Sequence, residues 1–237
     1  MVRIKRLVDH PIVRPALDPS IGVNIQGPSL LQIPNWIKSP LGRYYLYFAH
    51  HKGTYIRLAV ADDLNGPWNI HVPGSLHLKE SRFLNTPPKI SEQQHDQIAA
   101  INAARGVQIG HTISYEATTP HIASPDVHVD DARHRIRMYF HGLHDVATQV
   151  TRVAESCNGI DFEVFPPVLG RSYMRVFKWD QLTYAMSMPG QFYRSVDGLS
   201  QFKPGPLLFN PNMLARALDS ALAYFSVYFY YEFFKNI

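Results

Sequence analysis

Apolar side chains fall at alternate positions in short runs along this chain, and the runs recur in blocks. In the first block, residues 27–70, the stretch GPSLLQIPNW precedes an aromatic run of Tyr44, Tyr45, Leu46, Tyr47 and Phe48. Ile56, Leu58 and Val60 then alternate with Arg57 and Ala59, which is the period-2 pattern of a half-buried strand. Asn65-Gly66-Pro67 turns the chain into a short outer strand around Trp68. A second block, residues 124–164, repeats this rhythm as SPDVHVDD, RIRMYFHGL, QVTRVAESC and NGIDFEV. A third, weaker block, residues 172–202, reads SYMRVFKWD, QLTYAMSM, QFYRSV and DGLSQF. Repeats of about 40 to 45 residues with four short strands each predict an all-β chain of the β-propeller type.

The blocks divide one expected domain, residues 1–237, into blade 1 (about 23–72), an insertion (about 73–118), blade 2 (about 119–168), blade 3 (about 169–210) and an atypical tail (213–237). Within the insertion, SEQQHDQIAAINAAR is rich in helix formers, and Ser91 stands where a helix cap is wanted. The tail crowds aromatic residues without a Gly or Pro turn. It is too short, and too interrupted by Asp219 and Glu232, to read as a membrane span. A truncated gene, a shifted reading frame and a divergent blade are the readings left open. Propellers close with four to eight blades, so about three blades and a remnant form an incomplete ring.

Composition changes this picture little. With 237 residues, 46% of them hydrophobic and 18% charged, the chain can fill one sizeable core. Its single cysteine, Cys157, has no internal partner, and Asp9, His10 and Pro11 break up the N-terminal segment before a secretory apolar run can form. A cytoplasmic protein without a membrane partner is expected. The net charge of +4 is spread along the chain and no nucleic-acid motif accompanies it, so nucleic acid is not an expected partner. The pattern does not indicate an oligomeric state.

Antiparallel pairing decides which polar residues meet. The start of an innermost strand lies at the same end as the link between the second and third strands. The first block therefore places Asn24, Gln26 and Gly27 with His50 and His51, and the second places Glu116, His121 and Ser124 with His141, His144 and Asp145. The third contributes Arg171 and Tyr173, with Arg175 deeper along its strand. Such a ring of His, carboxylate, Arg and Tyr at the mouth of a central channel suits a polyhydroxylated ligand.

The segments GPSLLQIP, YYLYFAHHKGTYIRLAVADDLNGPW and ASPDVHVDDARHRIRMYFHG resemble the blade motifs of the five-bladed β-propeller glycoside hydrolases, the clan of arabinanases and β-xylosidases, over roughly residues 23–211. The resemblance implies a five-bladed fold, a saccharide substrate and acid/base hydrolysis of a glycosidic bond. It implies Asp at the start of the first two inner strands and Glu in the third blade, where inverting chemistry needs two carboxyl groups with room for a water between them. This chain has Gly27 and Ser124 at the two Asp positions, and RSYMRVFKWD contains no Glu. The remaining candidates for catalysis are Asp126, Glu116 and His121. Asn24, Gln26, His50, His51, His141, Tyr173 and Arg175 are the candidate substrate contacts. A carbohydrate-binding propeller without turnover, or an inactive product of a truncated gene, is the alternative.

Each candidate also has a structural reading. Period-2 geometry allows Asp126 to face either the channel or the neighbouring blade. Arg57 and Arg152 occupy equivalent places in successive blocks and read as structural. His141, His144 and Asp145 match no strong metal-ligand spacing, and no cofactor is expected. Divalent ions sit in some channels of the resembling clan, but no ligand set can be assigned here.

Overall fold

Three antiparallel sheets follow one another along the chain in the computed structural model, which describes residue 6 and residues 8–106 and 110–208. The first is the meander β1 (Ile25–Gln32), β2 (Tyr44–His50), β3 (Arg57–Ala61) and β4 (Asn69–His71). The second comprises β5 (Ile122–Asp130), β6 (Arg135–Asp145), β7 (Thr148–Ser156) and β8 (Glu163–Val164), with β9 (Gly170–Arg171) also paired to β7. The third comprises β10 (Arg175–Trp179), β11 (Leu182–Ser187), β12 (Gln191–Ser195) and β13 (Lys203–Leu207). These are three blades of a β-propeller type fold, and the insertion between the first two carries α1 (Glu92–Arg105) and α2 (Ile113–Thr118). Ser91 caps α1 in a capping box with Gln94, as its position in the sequence suggests. The tail at 213–237 lies outside the described residues.

The sheets stack face to face, which explains why β2 and β3 are buried almost throughout instead of on one face. Leu31, Tyr45, Tyr47 and Leu58 of the first sheet pack against Val127 and Met138 of the second. Tyr139 and Val153 on the other face of the second sheet meet Val176, Ala185 and Tyr193 of the third. The far face of the first sheet, with Leu46 and Phe48, is covered by Ile21 and Trp68. Each buried Leu, Val, Ile, Phe or Met among them contributes about 1.5–3 kcal/mol on burial.

Polar ties repeat from blade to blade. The turn Asn158-Gly159 is held by the Asn158 Oδ1 and Ser156 Oγ atoms, and Asp197 and Ser195 do the same for Asp197-Gly198. Each turn glycine then receives a tyrosine hydroxyl from the preceding sheet: Tyr47 donates to the Gly159 carbonyl at 2.7 Å, and Tyr139 to the Gly198 carbonyl at 2.8 Å. Arg137 adds a charged tie, bonding Glu155 through two nitrogens at 3.0 and 2.8 Å and the Asp197 carbonyl at 2.9 Å. Arg57 and Arg152 are tied to backbone carbonyls, the former to Ser20 and the latter to Pro166.

The three inner strands are built alike at one point. β1 and β5 both break register there, between Gln26 and Ser29 and between Ala123 and Asp126. Gly27, Ser124 and Tyr173 all have left-handed backbone, with φ of 62°, 50° and 61°. Two residues later the inner strand reaches forward to its neighbour. The Val127 N–H donates to Ser29 Oγ at 2.9 Å, and the Val176 N–H donates to Asp126 Oδ2 at 2.7 Å.

Candidate functional site

The site is assembled around the short helix α2, whose first turn is capped by Thr112 accepting from the Tyr115 N–H. Its last carbonyls are satisfied partly by groups from distant segments and partly by the residues that follow it. Lys52 Nζ donates to the Glu116 carbonyl at 2.8 Å, the Ala147 N–H to Ala117 at 2.8 Å, and the His121 ring to Thr119 at 2.8 Å. These three bonds fix where the Glu116 side chain projects.

Lys52 lies in the β2–β3 link with a left-handed backbone (φ 56°) and a side chain only 2% exposed. Its ammonium stands 3.4 Å from Glu116 Oε2, and His51 Nε2 stands 4.0 Å from Oε1. Burial pushes Lys52 below its ordinary range, against the pull of Glu116. Burial likewise lowers His51. A carbonyl can only accept, so the bond to Thr119 places the His121 proton on Nδ1. Burial brings the His121 pKa down to about 4, so this ring is neutral at neutral pH.

His141, on β6, stands edge to face with His121 at 6.0 Å between ring centroids and packs on Tyr173 at 4.1 Å. It is 1% exposed, and its Nδ1 has no hydrogen-bond partner among the described residues. Burial first, and then the nearby His121, Arg175 and Lys52, depress its pKa well below the ordinary value. Burial raises the Tyr173 hydroxyl, and Glu116 adds to the effect. Lys52 and Tyr173, which both flank this cluster, have left-handed backbone, and such strain is common where residues are held for function.

The structure brings together Glu116, His51, His121, His141 and Tyr173 from the sequence-based set, with Arg175 near enough to shift His141 and Tyr173 electrostatically. Asp126 takes the neighbour-facing alternative. It is buried, with Oδ2 bonded to the Val176 N–H and 3.0 Å from His128 Nε2, and with Oδ1 3.8 Å from Arg175 Nη1. Burial alone would raise its carboxyl, but His128, Arg175 and the Val176 N–H pull it below the usual carboxylate range. Asn24 and His50 engage each other instead: the Asn24 N–H donates to His50 Nδ1 at 3.2 Å, and the His50 ring covers Gly22. Gln26 sits on β1 opposite Ala49.

Lys52 is the site residue that sequence reasoning missed. Its signal is a Lys-Gly pair after two histidines, where a solvated turn lysine is the ordinary expectation, and burial is set by α2 arriving from more than sixty residues away. Among the described residues, no group of three or more His, Cys, Asp or Glu could hold a metal ion.

No protein-family model matches the chain. It is 32% identical over 193 residues to an uncharacterized protein of Acanthamoeba polyphaga mimivirus, covering 77% of this chain and 47% of that protein. Among solved structures, it is similar to an α-L-arabinofuranosidase from Clostridium thermocellum, with a TM-score of 0.46 and 18% identity, covering 80% of this chain and 53% of the other. It is also similar to a family 117 glycoside hydrolase from Zobellia galactanivorans, with a TM-score of 0.45 and 16% identity, covering 77% and 46%. The chain spans about half the length of these relatives.

Proposed function

We propose that this chain is a glycoside hydrolase-like propeller that binds a saccharide where its inner strands begin and cleaves a glycosidic bond there. One observation carries the reading: Glu116, His51, Lys52, His121, Tyr173 and Arg175 come from distant segments to a single place, around the His141 imidazole, whose Nδ1 has no hydrogen-bond partner among the described residues. Glu116 is the carboxyl group of that cluster and serves as its acid/base. His121, neutral and with its proton held on Nδ1, presents Nε2 beside the Gln149 side chain as a second proton acceptor. Asp126 acts behind them as a positioning residue, bonded to the Val176 N–H and His128 and meeting the charge of Arg175 only in part at 3.8 Å.

A saccharide-binding propeller without turnover is the second reading, favoured by Gly27 and Ser124 at the positions where the resembling clan has Asp. A panel of chromogenic glycosides separates the two. Hydrolysis that Glu116→Gln abolishes, while saccharide binding persists, supports the enzyme. Binding of the same sugars with no release of chromophore by the native chain supports the second reading and removes the first.

A further inference from the structure

Arg175 occupies the place on β10 that Ser29 and Asp126 occupy on the two preceding inner strands. Those two residues each accept an N–H from the next inner strand. A guanidinium has five donors and no acceptor, so Arg175 cannot continue the series. It turns back and donates through Nη1 to the Pro125 carbonyl at 2.9 Å. Its Nε and Nη2 edge has no acceptor among the described residues, and the side chain is 25% exposed.

The charge on Arg175 is also only partly met. Asp126 stands 3.8 Å away, beyond hydrogen-bond reach, and gives its short contacts to Val176 and His128 instead. The neighbouring Lys52 is already matched by Glu116. An additional anion entering the site therefore finds its counter-charge at Arg175. Tyr173, two residues before it, has a hydroxyl without a hydrogen-bond partner among the described residues and packs on His141, whose Nδ1 is likewise unpartnered.

Resting on the saccharide reading above, we propose that the sugar this site takes carries a carboxylate, and that the free edge of the Arg175 guanidinium holds it as a two-pronged pair. The planar fork matches a carboxylate in geometry as well as charge, whereas a sugar hydroxyl uses only one prong. The ligand class is thus a uronic acid or a saccharide ending in one.

The test is isothermal titration calorimetry of the full chain at neutral pH with D-galacturonate and D-glucuronate against D-galactose and D-glucose. At least one uronate is expected to bind roughly tenfold more tightly than its neutral counterpart. Arg175→Gln is expected to remove that preference, and Arg175→Lys, which keeps the charge but not the fork, to remove most of it. Circular dichroism checks that both variants fold. If Arg175→Gln does not fold, the native comparison and Arg175→Lys decide. Neutral sugars binding as tightly as uronates, or an undiminished preference in Arg175→Lys, would overturn the carboxylate assignment while leaving the saccharide reading intact. Failure of every sugar to bind would overturn both.

Discussion

Gly27 offers the sharpest physical test of how the inner strands meet. Its φ of 62° is a conformation that costs a residue with a side chain about 1–2 kcal/mol. A Cβ placed there would also lie 2.6 Å from Ser124 Cα and 3.2 Å from Ser124 Oγ. Ordinary carbon contacts are about 3.5–4.0 Å, so the inner edge of the first or the second blade must shift by roughly 1 Å. Overpacking of that kind adds about 1–3 kcal/mol. Together the two effects put Gly27→Ala near 3 kcal/mol of destabilisation, or about 6–12 °C in Tm for a domain of this size. Urea titration and calorimetry of Gly27→Ala measure it directly. A variant within about 0.5 kcal/mol of the native chain would mean that the close approach of the inner strands is not what excludes a side chain. Gly27→Asp restores the carboxylate that the resembling clan carries at this position. It is expected to be at least as unstable, and to gain no hydrolytic activity, because the added group meets Ser124 instead of open space.

The tyrosine ties at the two inter-blade interfaces lend themselves to the same measurement. Tyr47→Phe and Tyr139→Phe each strand a buried glycine carbonyl, and each is expected to lower urea stability by about 1–2 kcal/mol. Asp126→Asn leaves Arg175 and His128 without their shared carboxylate, so a loss of about 3 kcal/mol is expected at neutral pH. Because the folded pKa of Asp126 is depressed, its contribution is present above the ordinary carboxylate range and is lost as pH falls through the lower folded value. His121 works in a higher window. Its folded pKa of about 4 lies below the ordinary 6.5, so the unfolded chain binds the proton first, and stability is full above 6.5 and drains as pH falls from 6.5 towards 4. Unfolding stability measured in urea should fall across that window, by up to about 3 kcal/mol from this ring, and His121→Gln should reduce the fall to what His141 and other groups contribute. A pH-independent midpoint between 4 and 6.5 would show that the ring is not held neutral.

The strands were legible because each carries its own signal. The aromatic run of β2 and the alternation of β3 specify strands locally, and the turns at Asn158-Gly159 and Asp197-Gly198 adopt the same side-chain-capped geometry in consecutive blades. Helix α1 announces itself through Ser91 and its run of helix formers. The site was legible only where topology alone brings residues together, as it does for His121 and His141, which share the start of one sheet. Lys52 and the exact partner of Glu116 depend on where α2 settles, and no local pattern encodes that. The direction of Asp126 was undecidable for a related reason. Alternation gives two faces, and the register break at residues 123–126 determines which one faces the third blade.

The same register break connects fold to chemistry. At equivalent points the inner strands present Gly27, Ser124 and Tyr173, all left-handed, followed two residues later by Ser29, Asp126 and Arg175. In the first two strands the later residue is an acceptor spent on the next strand, and the earlier one is small, so those strands close against their neighbours. In the third strand the earlier residue is a large aromatic packed on His141, and the later one is a cation that accepts nothing. Among the three described blades, the one whose inner strand offers no side-chain acceptor at this point presents a donor-rich surface there. That surface borders Glu116, which the Lys52 contact holds in place from the first blade. Repeated geometry thus supplies the frame, and the departure of one strand from the repeat supplies the polar groups that a ligand can use.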